Sequence, residues 1–130
     1  MKKKRIGAET LPKIRPKYTM DTWRGQRVRR GFSDYDVLNV DYYLLCIIPG
    51  MLRVLARDCV GYCEIIWSYD ERKEIQCTFE EYKKELLYVA DEFDKYKEAH
   101  YETYTRLENS EEMRLHLFEW LGHNLPTLWD

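Results

Sequence analysis

The sequence predicts an all-α protein: a small helical bundle of three to four helices, with a kinked first helix and a flexible basic N-terminal arm. Three observations lead there. Apolar residues recur at helical spacing in three stretches, two of them opened by a capping box. No stretch offers two alternating runs that would pair as a sheet. Charge is segregated, since residues 1–30 hold eleven of the twenty-one Lys and Arg against only Glu9 and Asp21, which leaves that end near +9 and the remainder near −11. At 130 residues and 45% apolar content the chain suits one domain, assigned to 23–130, preceded by the arm at 1–22.

The arm contains Pro12, Pro16 and four leading basic residues but little apolar periodicity, so it cannot bury enough surface to offset the entropy of ordering. Residues 22–31 are Arg-dense and hold Gly25 and Gly31, which favours a short turn or one loose helical turn. A helix start is clearest at Ser33, whose side chain can accept from the amide three residues on while Asp36 reaches back. From there Val37, Val40, Leu44, Leu45, Ile48, Met51, Leu52 and Leu55 form a stripe expected to face the core. Pro49 lacks an amide proton and clashes with the carbonyl four residues back, so a kink is expected near Leu45.

Residues 58–76 are the least periodic. Ile65, Ile66 and Trp67 could form a strand, but no partner is evident, and a loop anchored by Trp67 is expected. Thr78 and Glu81 form a second capping box, followed by Phe79, Tyr82, Leu86, Val89, Phe93 and Tyr96, with His100, Tyr104 and Leu107 continuing the row for seven to eight turns. Asn109 or Ser110 then caps a third helix with Met113, Leu117, Trp120 and Leu121 on its apolar side and Gly122 in the left-handed stop position. Leu125, Leu128 and Trp129 are placed to fold back on the bundle.

No run is long enough to cross a bilayer, and the leading lysines are not followed by the apolar segment of a secretory signal, so a cytoplasmic site, in a host cell, is expected. The four cysteines would then be reduced. The spacing of Cys59, Cys63 and Cys77 is looser than that of usual zinc sites, which favours ordinary small residues over metal ligands; no metal and no cofactor are expected. There is no Gly-rich phosphate loop, nucleophile elbow or His-Glu-x-x-His helix, so the chain reads as a non-enzyme.

Arg29-Arg30-Gly31-Phe32-Ser33-Asp34, then Asp36-Val37-x-Asn39-x-Asp41-Tyr42-x-Leu44, the Thr78 to Glu81 helix start and a terminal Leu128-Trp129-Asp130 together form a pattern. In it the chain resembles a family of small phage and prophage proteins with no established biochemical activity. The likeness runs from about Trp23 to the end, most specific in its first motif and its last three residues. This chain departs from it with Phe32 where Trp is common and Leu38 where an aromatic often follows Val. The resemblance implies an origin and a shape and brings no catalytic residues.

The candidate site is the Arg, Asp and aromatic cluster of Trp23, Arg27, Arg29, Arg30, Phe32, Asp34, Asp36 and Asp41. Guanidinium groups beside a helix start suit a phosphate, and the rings offer flat partners. Asp34 and Asp36 oppose an anion at that place, and the other reading is that Arg and Asp pair with one another to clamp the N-terminal segment. Asp41, beside the apolar stripe, is expected to need a cation from Arg27, Arg30 or Arg53, as a structural ion pair or to orient a ligand. Three functions follow: a phage accessory, anti-defence protein sequestering an anionic nucleotide without turning it over; a protein–protein module acting through the tyrosine-rich helix and acidic face on a host or phage protein; or nucleic-acid binding through the basic arm. No membrane partner is expected, and self-association into a homo-oligomer is left open by helices so amphipathic.

Overall fold

The computed structural model describes residues 20–102 and 110–129. Most of the expected arm, the row's continuation at Tyr104 and Leu107, and an Asn109 cap lie outside them. Among the described residues the elements run α1 (Met20–Arg30), α2 (Asp34–Leu38), α3 (Val40–Asp58), β1 (Ile65–Trp67), β2 (Glu74–Gln76), α4 (Phe79–Lys97), a π-helical turn (Glu98–Glu102), α5 (Ser110–Asn124) and a 3-10 turn (Leu125–Thr127). The chain divides into two compact units, Met1–Tyr43 and Leu44–Asp130.

The expectation of a purely helical bundle of three to four helices is therefore corrected: five α-helices and a small antiparallel hairpin are present among the described residues. The first extra helix is α1, where one loose turn was expected. Its buried Gln26 and half-buried Trp23 and Arg30 supply an inner face; Gly25 is carried within the helix, and Gly31 at φ 87° makes the left-handed stop past its end. The second arises because the helix started by Ser33 breaks at Asn39. Asn39 leaves the helical region at φ −136°, whereas α3 runs on through a buried Pro49.

The hairpin pairs Ile65 with Gln76, Ile66 with Ile75 and Trp67 with Glu74. Its turn is closed by Ser68 N to Lys73 O (2.8 Å) and Arg72 N to Ser68 O (2.9 Å), with Arg72 at φ 52°. Two strands of three residues are marginal alone. Here the buried Asn124 of α5 pairs with β1 on both sides, accepting from Trp67 N (2.9 Å) and donating to Trp67 O (2.8 Å), while Ile66 enters the core.

In the second unit, α4 turns Tyr82, Leu86, Val89, Phe93 and Tyr96 inward, the spacing of fours and threes that the sequence shows. Leu45, Leu52 and Ala56 of α3 and Leu117 and Trp120 of α5 complete that core. Both capping boxes form as read, Ser33 with Asp36 and Thr78 with Glu81. Gly122 does not stop α5, which continues to a buried Asn124; Tyr82 then anchors the tail by donating to Thr127 O (2.8 Å). Of the tail's apolar residues Leu128 packs on the core, whereas Leu125 and Trp129 stay exposed. No helix among the described residues is long and apolar enough to cross a membrane.

Candidate functional site

The cluster read either as an anion site or as an Arg–Asp clamp is assembled in the first unit by α1, the Gly31 stop and the capped start of α2. Arg27 grips Asp36 with two parallel bonds, Nε to Oδ2 (2.8 Å) and Nη2 to Oδ1 (2.6 Å). Asp36 closes the capping box at the same time, accepting from Ser33 N (2.8 Å) while its own amide donates to Ser33 Oγ (3.1 Å). The Arg27 guanidinium, with help from the Ser33 amide and hydroxyl and against the opposing effect of burial, holds the Asp36 carboxyl down at about 2.

Asp34 is equally enclosed. Arg30 Nη2 donates to its Oδ1 (2.6 Å), Gln26 Nε2 to its Oδ2 (3.0 Å), and its own amide donates back to Gln26 Oε1 (2.7 Å). Arg30 also donates from Nε to Phe32 O (2.9 Å) and lies over the Phe32 ring at 4.7 Å. Tyr43 OH reaches Gly31 O (2.6 Å), and its ring lies 5.7 Å from the Arg27 guanidinium carbon. Ser33, Asp34 and Asp36 are buried, so each of these bonds fills a need that water cannot.

Of the eight residues read as candidates, the fold thus gathers Arg27, Arg30, Phe32, Asp34 and Asp36 into one network. Trp23 stacks on Tyr35 (4.8 Å between centroids). Arg29 points away: it is exposed, its guanidinium lying back over Gly25. Asp41 is exposed in the first turn of α3, so it is not the buried carboxylate expected from its place beside the stripe; Arg53, one of its suggested cations, bonds Asp91 (2.8 Å) and Asp94 instead. Gln26 was missed because a lone Gln carries no sequence signal until its burial is known.

The apolar stripe proves to be two faces of α3. Leu45 and Leu52 are buried and Ile48 and Leu55 pack beside them, but Leu44 is 40% exposed, Met51 67% and Val54 49%. With Ile47 these last three repeat at intervals of three, four and three, the seam by which one helix packs along another. Cys46, Ile47, Gly50, Met51, Val54 and Leu55 line a shallow apolar groove there. Gly50 has open space where a Cβ would stand, which leaves the groove floor at backbone level. Val37 and Val40, assigned to the same core face, are exposed too.

A second cavity, of about 330 Å³, lies between the hairpin and α4, lined by Ile66, Asp70, Ile75, Cys77, Glu81, Lys84, Glu85 and Tyr88. Burial raises the Glu85 carboxyl above its ordinary range against the pull of the Tyr69 amide, which donates to Oε1 (2.9 Å). Burial, then the bond to Asp70 Oδ1 (3.0 Å), raises the Tyr88 phenol to about 12. Cys77 is buried, its thiol pushed up by burial, and donates to Cys63 O (3.5 Å). Among the described residues no three or more His, Cys, Asp or Glu side chains are grouped to hold a metal. His116 and His123 stack flat on Tyr69 (3.9 Å) and Trp67 (3.6 Å).

Comparisons with family models, with curated proteins and with solved structures returned no match to this chain.

Proposed function

We propose that this chain is a non-catalytic binding protein, an accessory protein of phage origin as its resemblance suggests, that docks one helix of a host or phage protein along the outward face of α3. The observation that carries this reading is the seam of exposed Leu44, Met51 and Val54 with half-buried Ile47, on a helix whose opposite side is already buried in its own core. A soluble helix ordinarily carries one apolar stripe; a second, lined at its centre by the small residues Cys46 and Gly50, leaves apolar area for another chain to cover.

Sequestering an anionic nucleotide at the Arg cluster requires Asp34 and Asp36 to surrender arginines that they hold by charge-assisted bonds, leaving buried carboxylates unpaired. Docking at α3 requires no such exchange. Cys46 is exposed and free, which provides the test. A photo-crosslinker on Cys46 is expected to capture one discrete protein from host or infected-cell extract, and Met51→Glu, which places a charge in the seam without touching the core, is expected to abolish that adduct at unchanged melting temperature. Equal adducts from the Met51→Glu protein, or none from the parent, refute the reading, and sedimentation of the pure protein shows whether the captured chain is a second copy.

A further inference from the structure

The cavity between the hairpin and α4 has a lining that neither the clamp nor the α3 seam uses. It lies wholly within the second unit, so its walls belong to one compact body. One wall is apolar: Ile66 and Cys77 are buried and Ile75 is half-buried. The other is α4, where Glu81, Lys84, Glu85 and Tyr88 lie on one side over two turns, and Asp70 enters from the hairpin turn.

One ammonium against three carboxylates leaves this lining at −2, and among the described residues Lys84 forms no ion pair. Each carboxylate is instead held by its own chain on a single oxygen: Asp70 Oδ1 by Tyr88 OH (3.0 Å), Glu81 Oε1 by Thr78 N (3.0 Å) and Glu85 Oε1 by Tyr69 N (2.9 Å). A carboxylate accepts about four such bonds, so three oriented groups keep most of their acceptor capacity. Glu85 is half-buried, and Trp120, 1% exposed, turns toward it an indole Nε1 that closes no hydrogen bond. Burial, and then the surrounding carboxylates, push up the Tyr88 phenol and the Cys77 thiol, and burial raises the Glu85 carboxyl. These groups register a negative interior without its counter-charge, the setting in which a bound cation is favoured.

Geometry selects the cation. Glu81 and Glu85 stand four residues apart, about 6 Å along α4. Two nitrogens joined by four methylenes are five bonds apart, which at about 1.2 Å per bond is also about 6 Å. The methylenes suit the Ile66, Ile75 and Cys77 wall, two ammonium charges offset the lining, and about 330 Å³ leaves room for a further aminoalkyl arm toward Asp70. A hydrated divalent metal gains nothing from that apolar wall.

We propose that this cavity binds a short aliphatic diamine or polyamine, its ammonium groups on Glu81 and Glu85 and its methylenes against Ile66 and Ile75. The cavity shares no residue with the α3 seam, so the two readings fail separately.

The test is isothermal calorimetry of the full chain with putrescine and spermidine, with the site mapped by amide NMR. One-to-one binding is expected, with shifts centred on Ile66, Asp70, Ile75 and Tyr88. Glu85→Gln, which keeps an acceptor for the Tyr69 amide, is expected to weaken putrescine about tenfold or more. Glu81→Gln, at an exposed position where Gln also completes a capping box, is expected to weaken it about threefold. Glu111→Gln with Glu112→Gln removes two charges outside the cavity and is expected to leave affinity unchanged. Thermal melts show that the variants are folded. Absence of binding by the parent at about 10 mM putrescine, an unweakened Glu85→Gln or Glu81→Gln protein, an equal loss in the Glu111 and Glu112 variant, equal binding of butylamine, or displacement by magnesium at matched ionic strength each overturns the proposal.

Discussion

Protonating or removing the Asp36 carboxylate is the sharpest perturbation of the first unit, because that one group ends two devices, the capping box at Ser33 and the paired grip of Arg27. Its carboxyl sits at about 2 rather than 3.8, and at about 1.36 kcal/mol per decade the difference is worth up to about 2.4 kcal/mol. Arg27 is half-exposed and screened by water, which reduces that to about 1–2 kcal/mol. The sign follows from linkage: with the folded value below the unfolded one, the stabilisation is complete above about pH 4 and is lost as pH falls through about 2. Asp36→Asn retains a carbonyl to accept from Ser33 N but gives up the charge, so it is expected to cost about 1–2 kcal/mol at pH 7 and nearly nothing at pH 2. Urea denaturation read at Trp23, the tryptophan of this unit, with the other three replaced by Phe, measures both, and a carboxylate NMR titration gives the midpoint directly. A midpoint of 3.5 or above, or equal losses at both pH values, refutes the reasoning.

Three further outcomes follow from the second unit. Asn124→Ala removes both side-chain bonds to β1 and exposes the hairpin's dependence on α5, which is expected to cost about 2 kcal/mol in urea denaturation; a loss below about 0.5 kcal/mol refutes it. Gly122→Ala, inside a helix with open space for the methyl, is expected to stabilise by about 0.5–1 kcal/mol and raise the melting temperature, whereas a fall would restore the left-handed stop read from the sequence. Glu85 has a folded value raised above 4.5, so its ionisation opposes folding at neutral pH and stability increases as pH falls through that value. Glu85→Gln is therefore expected to melt higher than the parent at pH 7 and equally near pH 4; an equal offset at both pH values contradicts the assignment.

The parts of this fold set by local chemistry were legible before any coordinates. Ser33 with Asp36 and Thr78 with Glu81 announce helix starts because a hydroxyl and a carboxylate three residues apart satisfy two backbone donors reciprocally, wherever the chain goes next. The inward row of α4 is likewise local. The hairpin was not legible, because Ile75 stands between Glu74 and Gln76 and the side chain that both accepts from and donates to β1 is Asn124, distant in sequence by 57 residues. Nor did the stripe of α3 reveal its two faces: adjacent apolar pairs such as Leu44 with Leu45 and Met51 with Leu52 satisfy a core pattern while placing one member of each outside. Of the Arg and Asp residues read together, Arg27, Arg30, Asp34 and Asp36 meet in one network while Arg29 and Asp41 do not, and composition left open whether such charges face inward or outward. The helix at Met20–Arg30 decides that by carrying Arg27 and Arg30 back onto Asp36 and Asp34 while displaying Arg24 and Arg29.

Arg27 and Arg30 are held by Asp36 and Asp34 of their own chain. Arginine side-chain NMR of the nitrogen-labelled protein, titrated with cyclic and ADP-ribose-derived nucleotides, reads those two Nε–H groups individually. Two slowly exchanging signals that keep their positions at saturating nucleotide are expected; displacement of either, with a matching change at Asp34 or Asp36, contradicts a purely structural role for the two arginines.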